Sequence, residues 1–199
     1  ERRVLARMLE TGWNAPVTTS AGRLFDGVAA LLGLRQTVTF EGQAAMALEH
    51  LAVRAGEGEA CEAAGAYPLA VTGSPAVGLE LDWRPLLSAL LDDLGAGVPA
   101  ERIARRFHAG LARAIAAAAG AVGEERVALT GGCFQNRLLT ESAAALLARA
   151  GHRVLLHRAV PPNDGGIALG QVAVAAARLE RGLIDLQESV PCASASPDR

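Results

Sequence analysis

The stretch Arg126–Leu139, with the sequence RVALTGGCFQNRLL, decides the fold of this chain. Val127–Thr130 have the character of a short buried strand, and Gly131 and Gly132 follow it directly. Apolar residues then return at helical spacing, which predicts a strand that turns into a helix at the glycine pair. Unpaired N–H groups at such a helix start are a natural place for an anion, and Asn136 adds a side-chain amide. A tight turn without a ligand explains the same residues equally well.

The composition limits what the core and the surface can do. The chain has 199 residues, 51% of them hydrophobic but only 4% aromatic, so its core is expected to consist of Ala, Leu and Val. A formal net charge of −2 provides no general attraction to nucleic acid or to an anionic membrane surface. All 19 basic residues are arginine, which excludes a Schiff-base or P-loop lysine from this segment.

The cysteines and the apolar runs bear on the compartment. Cys61, Cys133 and Cys192 are odd in number and lack a Cys-x-x-Cys pair, so neither a disulfide framework nor a zinc knuckle is indicated. A reducing compartment fits best, and we expect a cytoplasmic protein, since no apolar run is long enough to span a bilayer. The chain begins without a Met, which leads us to expect a piece of something longer.

The remaining patterns predict an α/β chain with helices in excess. Two short strands joined by a turn at Thr72–Pro75 form an expected hairpin, and a β-α-β-α order ends the chain. We expect one domain over residues 1–185 and a disordered tail over 186–199. The helix predictions are residues 2–11, a helix capped by Thr19 or Ser20, residues 41–54, a helix capped by Asp82, the stretch with Ile103, Phe107, Leu111 and Ile115 at four-residue spacing, and residues 167–181.

A second stretch, Val160–Gln171 with the sequence VPPNDGGIALGQ, repeats the order of strand end, turn and helix start. Taken alone, Asp164 or Asn163 is most simply a helix cap. If the last two strands are parallel, however, their ends open on the same edge of the sheet, and Asn136 and Asp164 then face one crevice. A carboxylate there suits a hard metal ion on phosphate oxygens.

Four stretches together carry a family resemblance: TSAGRLFDGVAALLGL (Thr19–Leu34), EGQAAMALEHLA (Glu41–Ala52), ALTGGCFQNRLL (Ala128–Leu139) and VPPNDGGIALGQ (Val160–Gln171). In this order they resemble the C-terminal part of the hydrogenase maturation carbamoyltransferases of the HypF family, from about Val4 to about Leu183. The last domain of that family is similar to the tRNA threonylcarbamoyladenosine synthase subunit TsaD. The resemblance implies one lobe of an actin/hexokinase/Hsp70-like ATP-binding domain, with a short mixed sheet flanked by many helices.

The resemblance also implies which residues form the site. It implies ATP and a divalent metal ion (iron, zinc or magnesium) as cofactors, with the glycine pair making room for ATP or an acyl-adenylate. Asp164 matches the aspartate that completes the metal site in these relatives, and no catalytic residue is assigned. The positions implied in nucleotide binding are Asp26, Glu41, Gly42 (the last two by a looser match), Gly131, Gly132 and Asn136.

The implied activity is carbamoyl transfer. HypF enzymes form carbamoyl-adenylate from carbamoyl phosphate and ATP and pass the carbamoyl group to the C-terminal cysteine of HypE, for the cyanide ligands of nickel–iron hydrogenase. The expected partner is therefore a HypE-like acceptor protein, and neither nucleic acid nor a membrane is expected. Two other functions are open. One is a small-molecule O-carbamoyltransferase with a similar domain, and the other is a non-catalytic nucleotide-binding or docking module.

The chain also departs from the family pattern. In the family the other metal ligands are an upstream His-x-x-x-His pair, which is absent here. His50, His108, His152 and His157 are each expected to be a surface or core residue. The family's first phosphate loop, YrdC-like domain, zinc-finger region and acylphosphatase domain are not found in these 199 residues either. We therefore expect half of a site, in one lobe of a two-lobed domain.

Overall fold

The structure is a computed structural model that describes residues 1–55 and 65–183. Within these ranges it contains seven α-helices and four β-strands, so the α/β prediction is confirmed. The predicted tail over 186–199, Cys61 and Cys192 lie outside the described residues. In chain order the elements are α1 (Arg2–Thr11), α2 (Ala21–Leu31), α3 (Gln43–Arg54), β1 (Ala70–Ser74), β2 (Gly78–Asp82), α4 (Arg84–Gly95), α5 (Ala100–Val122), β3 (Arg126–Leu129), α6 (Arg137–Arg149), β4 (Arg153–Leu156) and α7 (Ile167–Glu180).

The strands form two separate two-stranded sheets instead of one short mixed sheet. β3 and β4 pair in parallel, from Arg126 opposite Arg153 to Leu129 opposite Leu156, and α6 is the crossover between them. Short 3₁₀ turns precede α6 and α7. The β-α-β-α order predicted for the end of the chain is therefore present, with its strands parallel.

The antiparallel hairpin of β1 and β2 turns later than the sequence predicts. Gly73 and Ser74 belong to β1, and the turn lies at Pro75–Val77, where the Val77 N–H donates to the Ser74 carbonyl at 3.1 Å. Gly73 sits inside the strand because the backbones approach closely there, and a Cβ on it would overlap the Gly78 carbonyl oxygen. The glycine that suggested a turn thus marks a close strand contact.

Two of the predicted helix caps are partly right. Ser20 directly precedes α2, but its side chain makes no capping hydrogen bond. Asp82 ends β2 and accepts the Arg84 N–H at 3.0 Å, although Trp83 is the residue that precedes α4. In both places the capping residue in the sequence predicts where the helix starts. The predicted capping hydrogen bond is absent at Ser20 and differs in position at Asp82.

One face of α5 forms the centre of the core, as the four-residue spacing predicts. Ile103 and Phe107 are fully buried, and Leu111 is nearly so. α3, α4 and α6 pack directly against α5. α2 reaches it through Phe25, whose ring meets that of Phe107 edge-on with 4.9 Å between centroids. Because aromatic residues are few, alanine and leucine fill most of the remaining core.

The first and last helices bury no side chain in the described part of the chain. On α1, Leu9 is 74% exposed, and on α7, Val172 is 66% exposed. Each of the five helices between them buries two or more residues. Among the residues described, no helix combines the length and apolar character needed to cross a membrane. α1 and α7 therefore present apolar surface that the described residues leave uncovered.

A polar network ties the segment before β1 to the core. The Tyr67 hydroxyl donates to the Asp93 carboxylate on α4, which also accepts a hydrogen bond from Arg106 on α5. Burial, together with the Asp93 carboxylate, raises the pKa of Tyr67. The Tyr67 backbone passes so close to α5 that a Cβ on Gly110 would stand 2.6 Å from its carbonyl oxygen. Glycine at this helix position is therefore required by packing.

Substituting Gly110 tests this contact. Gly110→Ala should lower the free energy of unfolding by about 1–3 kcal/mol, because the added methyl overlaps backbone that cannot rotate away. Gly120→Ala is a matched control in the same helix, where a Cβ meets nothing within 4 Å, and it should be neutral or slightly stabilising. Urea unfolding followed by circular dichroism measures both. Equal stability of the two variants would contradict the close packing of Tyr67 on α5.

Candidate functional site

The loops that follow β3 and β4 meet at one edge of the parallel sheet. The Gly131 N–H donates to the Pro162 carbonyl at 2.7 Å. Beside this contact, the Thr130 hydroxyl and His157 Nε2 lie 2.9 Å apart. The two stretches that resemble a nucleotide site therefore form one continuous surface, as expected for the carboxyl ends of parallel strands.

The glycine turn, Gly131–Gln135, has an open outer side. Gly131 has φ +103°, in the left-handed region that favours glycine. Gly131 and Gly132 are exposed, and a Cβ on either would meet nothing within 4 Å. A ligand can therefore approach this backbone closely. That a nucleotide does so stays a prediction for both glycines.

The start of α6 does not offer the unpaired N–H groups that the sequence suggested. Glu49 on α3 accepts the Arg137 N–H at 2.7 Å and the Leu138 N–H at 3.2 Å through the same carboxylate oxygen. Asn136 caps the helix by accepting the Leu139 N–H at 2.9 Å. A carboxylate from within the chain thus occupies the place proposed for an anion, so this interpretation of the helix start was wrong.

Asn136 is also bound from inside the core. It is 8% exposed, and its side-chain nitrogen lies 2.9 Å from Nε2 of His108, which is fully buried on α5. His108 Nδ1 lies 2.8 Å from the Ala104 carbonyl, which can only accept, so Nδ1 carries the proton. Nε2 therefore accepts from the Asn136 amide. The polar atoms of both side chains are held by protein contacts, and the nucleotide role of Asn136 stays a prediction.

His108 is neutral at physiological pH. Burial lowers its pKa to about 4, and the positive charge of Arg105 acts in the same direction, while the bond to Ala104 opposes them. The rings of Phe25 and Phe107 meet the imidazole edge-on, with centroids 5.5 and 5.6 Å away. A histidine in such an apolar setting fits a polar link between helices, in line with the expectation that it is a core residue.

The other predicted nucleotide residues lie on neighbouring elements. Asp26 is on α2 and forms an ion pair with Arg23 at 2.9 Å. α2 contacts the 3₁₀ part of the glycine turn, so its helix borders the surface described above. Gly42 directly precedes α3 with φ +80°, and Glu41 beside it is exposed. The nucleotide contacts proposed for Asp26, Glu41 and Gly42 stay predictions.

Asp164 lies in the 3₁₀ turn before α7 and is exposed. The capping role falls to its neighbour Asn163, whose side-chain oxygen accepts the Gly165 N–H at 3.1 Å. The Asp164 carboxylate is therefore not used as the cap of this turn. Gly166 is packed tightly, since a Cβ there would stand 2.9 Å from the Pro161 carbonyl oxygen. This packing fixes the loop that carries Asp164.

The donor set for a metal is incomplete in the part of the chain that the structure describes. In the described part, no three His, Cys, Asp or Glu side chains lie close enough together to hold a metal ion. His152 binds the Glu124 carbonyl, and His157 contacts the Thr130 hydroxyl. The residues present therefore do not fit a metal ion by themselves, and the role of Asp164 as a metal ligand stays a prediction.

The structure adds two residues to the site that sequence patterns did not identify. Glu49 reaches Arg137 across 88 positions, and His108 reaches Asn136 across 28. Neither pair leaves a local spacing signal. Burial of His108 was one of the two expectations for it, but its partner could not be inferred.

Comparison with known proteins agrees with the motif pattern. A family described as "Carbamoyltransferase, Kae1-like Domain, second subdomain" matches residues 1–171. The carbamoyltransferase HypF of Rhodobacter capsulatus is 46% identical over 186 residues, covering 89% of this chain and 22% of the relative. The carbamoyltransferase HypF of a Synechocystis strain is 43% identical over 166 residues, covering 83% of this chain and 20% of the relative. The chain thus spans about a fifth of the length of these two curated relatives.

Solved structures show the same similarity in three dimensions. A full-length HypF in its phosphate- and nucleotide-bound form superposes with a TM-score of 0.80 at 32% identity, covering 89% of this chain and 23% of that one. HypF of T. kodakarensis superposes with a TM-score of 0.75 at 28% identity, covering 89% and 22%. The fold of the described residues is therefore that of the corresponding part of HypF.

The burial of His108 predicts how stability depends on pH. The unfolded chain binds a proton at this residue near pH 6.5, whereas the folded chain does so only near pH 4. The free energy of unfolding should therefore decrease by about 3 kcal/mol as pH falls from 6.5 to 4. The stabilisation that comes from keeping His108 neutral is fully present above pH 6.5. Urea unfolding across this range, compared with His108→Gln, measures the difference. An unaltered profile in His108→Gln would contradict the prediction.

Proposed function

Because this chain belongs to the HypF family of carbamoyltransferases, we propose that it forms the second subdomain of a longer enzyme that transfers a carbamoyl group with ATP and carbamoyl phosphate. The observation that carries the proposal is the joined surface of the glycine turn and the loop before α7. Each loop follows the carboxyl end of a parallel strand, and the Gly131 N–H binds the Pro162 carbonyl between them. That edge is where ligands bind in open α/β sheets.

The proposed chemistry needs a surface that orients an adenylate. In the transfer step a thiolate of the acceptor attacks the carbamoyl carbon, the bond to the adenylate phosphate oxygen breaks, and AMP leaves. The exposed backbone of Gly131 and Gly132 allows the nucleotide to lie close to the turn. Asp26 would contact it from α2, and Asp164 from the loop before α7. A metal ion, when bound with ligands from the rest of the enzyme, would supply charge neutralisation at the phosphates.

Two observations support a subdomain in place of a complete site. α1 and α7 carry exposed apolar residues but bury none in the described part of the chain, which is typical of surfaces that face another part of a protein. Asp164 also lacks the neighbouring donors that would complete a metal site in the residues described. We infer that the first subdomain covers these faces and supplies the opposite wall of the nucleotide site.

The acceptor we propose is the C-terminal cysteine of a HypE-like protein, in hydrogenase maturation. The two curated relatives described above are carbamoyltransferases named HypF, which supports carbamoyl transfer as the reaction. A net charge of −2 offers no attraction to nucleic acid, and we place the reaction in the cytoplasm, where thiols stay reduced. The two alternative functions predict other results in the assay below. A small-molecule O-carbamoyltransferase would modify a hydroxyl group, and a nucleotide-binding module would bind ATP without transferring a carbamoyl group.

The division of labour can be tested with the isolated chain. The 199 residues alone should fold, bind ATP weakly or not at all, and transfer no carbamoyl group, because one wall of a cleft loses the clamping geometry of the whole site. The full-length enzyme should carbamoylate the acceptor thiol, measured by mass spectrometry with ATP and carbamoyl phosphate. Turnover by the isolated chain would mean that a complete site lies within it. Transfer by the full-length enzyme only to a small-molecule alcohol would reject the protein acceptor.

Asp26 provides a sharper test of the nucleotide surface. Asp26→Asn in the full-length enzyme should weaken ATP binding about tenfold, the effect expected for losing one charge-assisted contact. Glu141→Gln is the matched control, since Glu141 also forms an ion pair with an arginine of its own helix, Arg137 at 2.6 Å. It should leave ATP affinity unchanged. Calorimetric titration of both folded variants decides, and unchanged affinity in Asp26→Asn would remove Asp26 from the site.

A further inference from the structure

The described core contains two buried polar side chains, and they are bonded to each other. His108 is fully buried and Asn136 is 8% exposed, while the side chains around them are mainly apolar. Their contact of 2.9 Å joins the middle of α5 to the residue between the glycine turn and α6. Burying such groups costs free energy unless they are fully satisfied, and a satisfied network makes its surroundings rigid and specific.

Asn136 connects the contact with His108 to the glycine turn. Its backbone N–H donates to the Cys133 carbonyl, and its carbonyl accepts the Thr140 N–H, so it belongs both to the 3₁₀ turn and to the first turn of α6. The Thr140 hydroxyl also binds the Phe134 carbonyl at 2.9 Å. The orientation of the Asn136 side chain therefore determines where the turn lies relative to α5.

We propose that His108 is a positioning residue that acts through Asn136 to hold the glycine turn in place for the nucleotide. The proposal rests on the proposed function in that the ligand is ATP or an adenylate. His108 touches no ligand in this scheme. Its ring fixes the Asn136 amide from the core side, so that the side-chain oxygen of Asn136 stays on the Leu139 N–H and the outer backbone of the turn keeps one conformation.

Two substitutions of His108 separate positioning from general stability. In His108→Gln the side-chain oxygen can take the place of Nε2 and accept from Asn136, while the bond to Ala104 is lost. In His108→Asn the side-chain amide can take the place of Nδ1 and keep the bond to Ala104, while the contact with Asn136 is lost. Each variant removes one hydrogen bond of the same imidazole, and only the second releases the turn.

The turn can be measured without any ligand. Hydrogen–deuterium exchange in the full-length enzyme, followed by mass spectrometry of the peptide containing the glycine turn, reports on the Gly131, Phe134 and Asn136 amides, which are hydrogen-bonded in this structure. His108→Asn should exchange there about tenfold faster than wild type, and His108→Gln should stay close to wild type. Affinity for ATP, measured by calorimetry, should fall in the same order.

A third variant tests the contact from the other side, in case His108→Asn does not fold. Asn136→Ser keeps an acceptor for the Leu139 N–H but is too short to reach His108, so it should match His108→Asn in exchange. His50→Asn, at an exposed position on α3, should behave as wild type.

The outcomes separate the two proposals. Slow exchange at the turn in His108→Asn and Asn136→Ser, or equal effects of His108→Asn and His108→Gln, would overturn the positioning role whatever the ligand. Fast exchange in the two variants together with no ATP binding by the wild type would support the positioning role and reject the proposed function. Fast exchange with a matching loss of ATP affinity, spared in His108→Gln, supports both.

Discussion

The packing of the other helices against α5 is the constraint on which the rest of the structure depends. This 23-residue helix contributes large side chains such as Ile103 and Phe107 to the centre of the core. With few aromatic residues available, close approach is achieved with small ones, as where the Tyr67 backbone lies against Gly110. Closely packed protein cores tolerate little change in volume. The position of α5 therefore fixes the positions of α3, α4 and α6 around it.

Two polar contacts attach the candidate site to this core. His108 on α5 binds the Asn136 side chain, and Glu49 on α3 accepts hydrogen bonds from the first N–H groups of α6. Both contacts end at the residues where the glycine turn becomes a helix. A loop that is open to solvent on its outer side is thus attached to the core on its inner side, which is the arrangement expected of a preorganised binding surface.

How well each feature of the fold and the site could be predicted from the sequence depends on how far apart along the chain the interacting residues lie. Four-residue spacing predicts α5, and strand propensity followed by glycines predicts β3 and its turn, because those signals lie within a few residues. The hairpin turn was placed too early because Gly73 has the same sequence signature in a turn as at a close strand contact. Glu49 and His108 could not be paired with their partners from sequence, since contacts between distant positions leave no periodic pattern.

Because residues of this chain cap the start of α6, that helix start does not support a ligand at this surface. The first expectation relied on unpaired N–H groups at the helix start, and Glu49 and Asn136 accept hydrogen bonds from these groups. A phosphate at that position would meet a carboxylate already bound to the same N–H groups. What supports a ligand is instead the exposed backbone of Gly131 and Gly132, which no side chain covers, and its contact with the loop that carries Asp164. The recognition surface that we propose is therefore the outer face of the turn, with the helix start as its anchor.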